Sequence, residues 1–285
     1  MPQRDFPFPL TPELAERFAR WVADPWEAAP PKRAATVMLL RDGDADAGAG
    51  GVEVFMQRRV ASMAFAPRRY VFPGGSLDAG DREAVPWAGP SPAEWADVLG
   101  VDAAEAAALV TAAAREVFEE SGVLLAGPAA EGVVAEGCVA AGFVVGEASW
   151  RHTARGRLLA REVTFAGLLR EAGLALRSDA LGFAAHWITP EVEPRRYDTF
   201  FFTALLPPGQ EADAETTEAD LADWMRPVSV IEEARAGLMP PTLVCLEALT
   251  GQAEAADIVR RRAPVPVIMP VPVRHGDGWA MRVQL

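Results

Sequence analysis

Arg115-Glu116-Val117-Phe118-Glu119-Glu120-Ser121-Gly122 is the stretch on which the reading of this chain turns. A helical residue advances by about 100°, so Glu116, Glu119 and Glu120 share an arc of about 100° on one face. Three carboxylates so placed repel one another unless a cation stands among them. Their hard oxygens suit Mg²⁺ or Mn²⁺, which keep part of their hydration and so leave room for phosphate oxygens. Taken alone, the cluster reads first as an ordinary solvated helix face, with Arg115 balancing charge. What lies upstream decides between the two.

Phe72-Pro73-Gly74-Gly75 precedes the helix. Two glycines after a proline let backbone approach other backbone or a ligand where a Cβ would clash. Together with the acidic stretch they resemble the Nudix box, whose pattern is glycine, five residues, glutamate, seven residues, then Arg-Glu-apolar-x-Glu-Glu-x-Gly-apolar. Arg115, Glu116, Val117, Glu119, Glu120, Gly122 and Val123 match the distal half at every specified position. The proximal half departs twice. Asp81 stands where the family has glutamate, and 33 residues (82–114) rather than seven separate it from Arg115. Loop-closure cost grows slowly with length, so an insertion over 82–107 is expected as a surface excursion that leaves the helix intact. The chain resembles the insert-bearing subgroup of the family that includes the peroxisomal coenzyme A diphosphatases.

That resemblance implies an α/β protein: an α/β/α sandwich with a mixed β-sheet, the box helix packed against it and an insertion inside the box. It implies a hydrolase cleaving the diphosphate bond of a nucleoside diphosphate linked to another moiety, with coenzyme A or acyl-coenzyme A as substrate. ADP-ribose or a nucleotide sugar is the alternative, and a non-catalytic nucleotide sensor a second one; the presence of all three box glutamates opposes the sensor. Glu116, Glu119 and Glu120 would ligate Mg²⁺ or Mn²⁺, and Arg115 would orient them. Glu218, among five other acids between Glu211 and Asp223, is the candidate for a general base or a further ligand. Gly74 and Gly75 would approach substrate, and Arg58, Arg195 or Arg196 would hold a phosphate. The roles of Asp78 and Asp81 stay open. Phe200 and Phe202, at strand spacing, read as core rather than as a base-stacking surface.

Outward from the box, Thr11-Pro12-Glu13 reads as a helix start, opening a helix to about Val22. Ala34 to Leu40 and Val52 to Arg58 read as strands joined by the acidic, glycine-rich loop from Asp42 to Gly51. Ser91 with Glu94 caps a short helix over Pro92 to Leu99, and Asp102 with Glu105 opens the long alanine-rich helix ending at Ser121, with Gly122 beyond its end. Arg157 to Ala172 has helical spacing. Ala184 to Ile188 and Tyr197 to Leu206 read as strands, Val228 to Ala236 and Leu243 to Leu249 as helices. Pro264 to Val273, broken by prolines, reads as an edge strand or an extended cover. No linker or repeat is evident, so 1–285 reads as a single domain. Residues 1–33 form a helical extension and 251–285 a C-terminal one; both are candidates for cover or for homodimer contacts.

The bulk numbers exclude several classes. A net charge of −13 disfavours binding to nucleic acid, although a bound metal can locally invert the field for a small phosphate ligand. No apolar run is long enough for a membrane span, and Met1-Pro2-Gln3-Arg4-Asp5 lacks a signal-peptide layout, so a cytoplasmic location is expected. Two cysteines, Cys138 and Cys245, support neither a disulfide framework nor a cysteine zinc site. His152, His186 and His275 are scattered and receive no role.

Overall fold

Alternation along the strand Lys32–Asp42 sends Val37 and Leu39 to one face and Met38 and Leu40 to the other, and all four are buried. A strand buried on both sides belongs to a sheet covered on both sides. The same division recurs along Tyr197–Leu205. There Phe200 and Phe202 join one core cluster while Phe201 joins the other. Both phenylalanines read as core are therefore core. The computed structural model describes residues 3–7, 11–43, 51–59, 69–129, 139–140, 143–144, 148–213 and 219–285.

The main sheet runs in the order Ala219–Met225, Val52–Arg59, Lys32–Asp42, Tyr197–Leu205, Leu181–Ile188, Val267–Ile268. Tyr197–Leu205 lies parallel to Lys32–Asp42, and Val267–Ile268 parallel to Leu181–Ile188; the other neighbours are antiparallel, so the sheet is mixed. The Pro-Gly-Gly segment is not a simple turn. Tyr70–Val71 pairs with Val52–Arg59, and Gly74–Ser76 pairs with Ala34–Thr36 on the next strand. A Cβ on Gly74 would stand 2.6 Å from the Ala35 carbonyl oxygen, so the glycine is required by close backbone approach.

The helix Ala103–Ser121 covers one face. Asp102 caps it by accepting from the Glu105 N–H at 2.9 Å, and Gly122 ends it with φ 70°. Its alanines admit close packing, and Ala106, Leu109, Val110, Ala113 and Val117 are fully buried. The opposite face is covered by Pro240–Leu249 and by Pro12–Ala23, whose Phe18 meets Trp279 edge-on at 5.8 Å.

Three expectations need correction. The insertion is no surface excursion: Trp87–Ala88 pairs with Leu176–Arg177, and the helix Pro92–Leu99 buries Trp95 completely against Phe202 at 5.8 Å. The helical spacing from Arg157 to Ala172 is two helices, Ala148–Leu159 and Phe165–Glu171, separated because Thr164 caps the second by accepting from the Gly167 N–H at 3.1 Å. The N-terminal extension is more than a helix. Gln3–Pro7 pairs with Gly278–Gln284, itself half of a hairpin with Val271–His275, so the two ends of the chain form one small sheet. Among the described residues no helix is long and apolar enough to cross a membrane. Cys138 lies outside the described residues. Cys245 is buried, and burial pushes its thiol up to about 12.

Candidate functional site

Arg115 is the hub of the site and only 8% exposed. Its Nε donates to Asp81 Oδ1 at 2.8 Å and its Nη2 to Asp81 Oδ2 at 2.9 Å and to the Ser76 carbonyl at 3.1 Å. Its Nη1 donates to Glu119 Oε2 at 2.8 Å and lies 2.9 Å from Glu116 Oε1. Asp81, buried in the short turn Ala79–Arg82, also accepts from the Asp78 N–H at 2.7 Å. The aspartate that replaces the family glutamate thus grips the box arginine across 34 positions and closes the two halves of the split motif. Burial opposes the charged guanidinium, but Asp81, Glu116 and Glu119 outweigh that and push its pKa further up.

The glutamates are strained electrostatically. Burial raises the Glu116 carboxyl to about 7 against the pull of Arg115, with Glu119 and Asp81 adding to the rise. Burial likewise raises Glu119, again opposed by Arg115. Glu120 Oε2 accepts from the Gly74 N–H at 3.3 Å. A Cβ on Gly75 would fall 2.3 Å from Glu116 Oε1, so only glycine lets this strand and the acidic helix approach so closely. Both glycines of the upstream signal are therefore committed to the site.

Among the described residues no three histidine, cysteine, aspartate or glutamate side chains stand at metal-binding spacing. Arg115 draws Glu116 and Glu119 to itself, while Glu120 turns to the Gly74 amide. The donor set nevertheless fits a hard divalent cation. It consists of carboxylate oxygens only, and two of the three are raised by burial, a cost that a cation reverses.

A cleft of about 1710 Å³ opens over the box and is larger than the ~300–1,000 Å³ usual for small-ligand pockets. Gly74, Gly75, Glu116, Glu119 and Glu120 line it. Arg195 also lines it, exposed on the loop between Ile188 and Tyr197. Arg196, the other arginine read as a phosphate ligand, does not. It is 8% exposed, and its guanidinium donates to the Thr189 carbonyl at 3.0 Å, the Ala29 carbonyl at 2.8 Å and Met269 Sδ at 3.4 Å, stapling three segments. Arg58 is likewise absent from the lining and lies beside the Tyr70 hydroxyl. Arg69 lines the cleft instead, donating to the Gly237 carbonyl at 2.6 Å. Glu218 falls outside the described residues. His186 pairs with buried Asp198 and stacks on Phe200, away from the cleft lining.

No family model matches the chain. It is similar to a protein described as putative nudix hydrolase 7 from Caenorhabditis elegans, 27% identical over 197 residues that cover 67% of this chain and 53% of that protein. The chain thus spans about half the length of that relative. Among solved structures it is similar to a NUDIX hydrolase from Alicyclobacillus acidocaldarius, with a TM-score of 0.63 and 24% identity over 84% of this chain and 99% of that one. The chain has the Nudix fold. The sequence relative is described as a nudix hydrolase, and the structural neighbour shows the same fold. Within the Nudix frame, the Asp81–Arg115 pair is what sequence reasoning left open. The signal for it was present: an acidic residue at the right count from Gly75, and an arginine 34 positions on that opens the distal half.

Proposed function

We propose that the chain is a divalent-cation-dependent Nudix diphosphatase that hydrolyses the diphosphate bond of a nucleoside diphosphate joined to another moiety. The observation that carries this reading is the closure of the split box, with Asp81 holding Arg115 and Gly75 packed against Glu116. In this reading Glu116, Glu119 and Glu120 would hold Mg²⁺ or Mn²⁺. Such an ion, when bound, polarises a diphosphate and lowers the pKa of an attacking water. Arg115 orients Glu116 and Glu119, and the Gly74 amide orients Glu120. Arg195 is assigned to a substrate phosphate and Glu218 to the general base.

Coenzyme A or acyl-coenzyme A is the proposed substrate. Supporting it are the insert between the two halves of the box and a cleft of about 1710 Å³ lined by the apolar side chains of Phe6, Phe72, Trp187 and Met281 as well as the carboxylates, roomy enough for a long leaving group. ADP-ribose and nucleotide sugars are the competing substrates. The test is a panel of coenzyme A, acetyl-coenzyme A, ADP-ribose, NADH, nucleotide sugars and diadenosine polyphosphates with Mg²⁺, products read by mass spectrometry. Release of 3′,5′-ADP with phosphopantetheine is the expected result. AMP with ribose-5-phosphate moves the assignment to ADP-ribose, and no cleavage at all rejects the enzyme in favour of a nucleotide sensor.

A further inference from the structure

Among the described residues, Arg161 is the one non-glycine residue with positive φ, at 58°. It ends the helix Ala148–Leu159. Its N–H donates to the Leu158 carbonyl and the Glu162 N–H to the Arg157 carbonyl, both at 2.9 Å. That pair of bonds is a Schellman closure, whose left-handed position usually falls to glycine because a Cβ there crowds the backbone. Local contacts do not offset the strain. The Arg161 side chain is 86% exposed, and its ion-pair partner Asp78 is 3.6 Å away and itself 48% exposed. A solvated pair of that kind contributes little.

The position of the turn gives the strain a use. Arg161 lines the cleft together with Asp78, Glu119 and Gly75. The turn is moored to the box loop by the Thr164 hydroxyl, which donates to Glu83 at 3.1 Å, and by Arg170, which donates to Glu83 at 2.9 Å and to the Ala84 carbonyl at 2.7 Å. Three other cleft arginines are engaged by the protein, Arg115 by Asp81 and two box glutamates, Arg4 by Glu247, and Arg69 by the Gly237 carbonyl, while the exposed Arg195 sits on the loop between Ile188 and Tyr197. In a chain of net charge −13, a phosphate-bearing ligand needs a cation that is free to meet it. A left-handed arginine beside the carboxylates supplies one.

We propose that Arg161 is a substrate-binding residue that leaves Asp78 to clamp a phosphate of the nucleotide next to the box glutamates. This rests on the diphosphatase reading, and the experiment separates the two. Arg161→Gly removes the guanidinium and relieves the strain, Arg161→Lys keeps a charge without the bidentate fork, and Arg157→Ala on the same helix serves as the control. Each is measured for Tm, for KM and kcat on whichever panel substrate the wild type cleaves, and for calorimetric affinity for ADP with Mg²⁺. Arg161→Gly is expected to hold or raise Tm, by up to about 3 °C. It should raise KM and the ADP Kd about tenfold while kcat changes less, the loss of one charge-assisted contact. The lysine variant should fall between, and Arg157→Ala should match wild type. Unchanged KM and ADP affinity in Arg161→Gly overturn the proposal. So does a fall in Tm alongside a raised KM, which marks a structural residue. If the wild type cleaves nothing, the diphosphatase reading fails by itself and the ADP arm still decides Arg161, wild type that binds no ADP counting against it.

Discussion

Asp81→Asn tests how the split box is held together. Asp81 is buried, and its Oδ2 accepts from both the Asp78 N–H and Arg115 Nη2 while Oδ1 accepts from Arg115 Nε. Three donors therefore converge on one carboxylate. An asparagine has one acceptor oxygen, so whichever way its amide turns, the NH₂ group faces at least one donor. The arginine also loses a buried counter-charge. Breaking a buried ion pair from one side costs about 3–5 kcal/mol. Glu116 and Glu119 remain beside Arg115 and hold the loss to the low end, about 3 kcal/mol. For a chain of this size that is a fall in Tm of roughly 6 °C. The freed guanidinium would lean further on Glu116 and Glu119, so turnover should fall at least tenfold as well. Chemical denaturation followed by fluorescence, with turnover measured on the same preparation, reads both effects. A variant within about 1 kcal/mol of wild type and fully active would refute the closure as the element that joins the two halves.

The raised Glu116 carboxyl predicts a pH dependence. Folded Glu116 keeps its proton up to about 7, whereas the unfolded chain releases it near 4.5, so between these values the folded state binds more protons and stability falls as pH rises. In chelator, wild type should therefore lose stability relative to Glu116→Gln from about pH 4.5 to 7, and Mg²⁺ or Mn²⁺ should flatten that difference; a difference of opposite sign, or one indifferent to the cation, contradicts the assignment. Trp95→Ala should cost about 3–5 kcal/mol by denaturation, because the insert's tryptophan is fully buried; a near-neutral result would return residues 82–107 to the surface. The neighbouring arginines should separate cleanly: Arg195→Ala raises KM with Tm unchanged, while Arg196→Ala lowers Tm because it removes three staples, and the reverse pattern would show that the two are misassigned.

The acidic helix was legible because its signals are local. Asp102, Glu105 and Gly122 mark its ends within a turn of the backbone they cap, and the face shared by Glu116, Glu119 and Glu120 follows from helical pitch alone. The strands on either side were legible too, from apolar alternation. What escaped depends on partners distant in sequence. Nothing near Trp95 announces that it packs on Phe202, and nothing near Gln3 announces a strand paired with Gln284. Arg195 and Arg196 look alike in sequence. The loop that carries them turns one toward the cleft and buries the other under Thr189, Ala29 and Met269. The hairpin at the C-terminal end had a local cue that went unused, Gly276-Asp277 between two alternating runs. Arg161 had none, since arginine is a rare choice at a left-handed helix end and only the backbone shows it there.

The most direct measurement is turnover of the wild-type chain and of Glu119→Gln and Glu120→Gln across the diphosphate panel, with Mg²⁺ and with chelator. The account predicts cleavage of at least one nucleoside diphosphate conjugate, abolished by chelator. Each substitution should reduce it by orders of magnitude while Tm stays within a few degrees of wild type. Full activity in both variants, or cleavage indifferent to the cation, would contradict it.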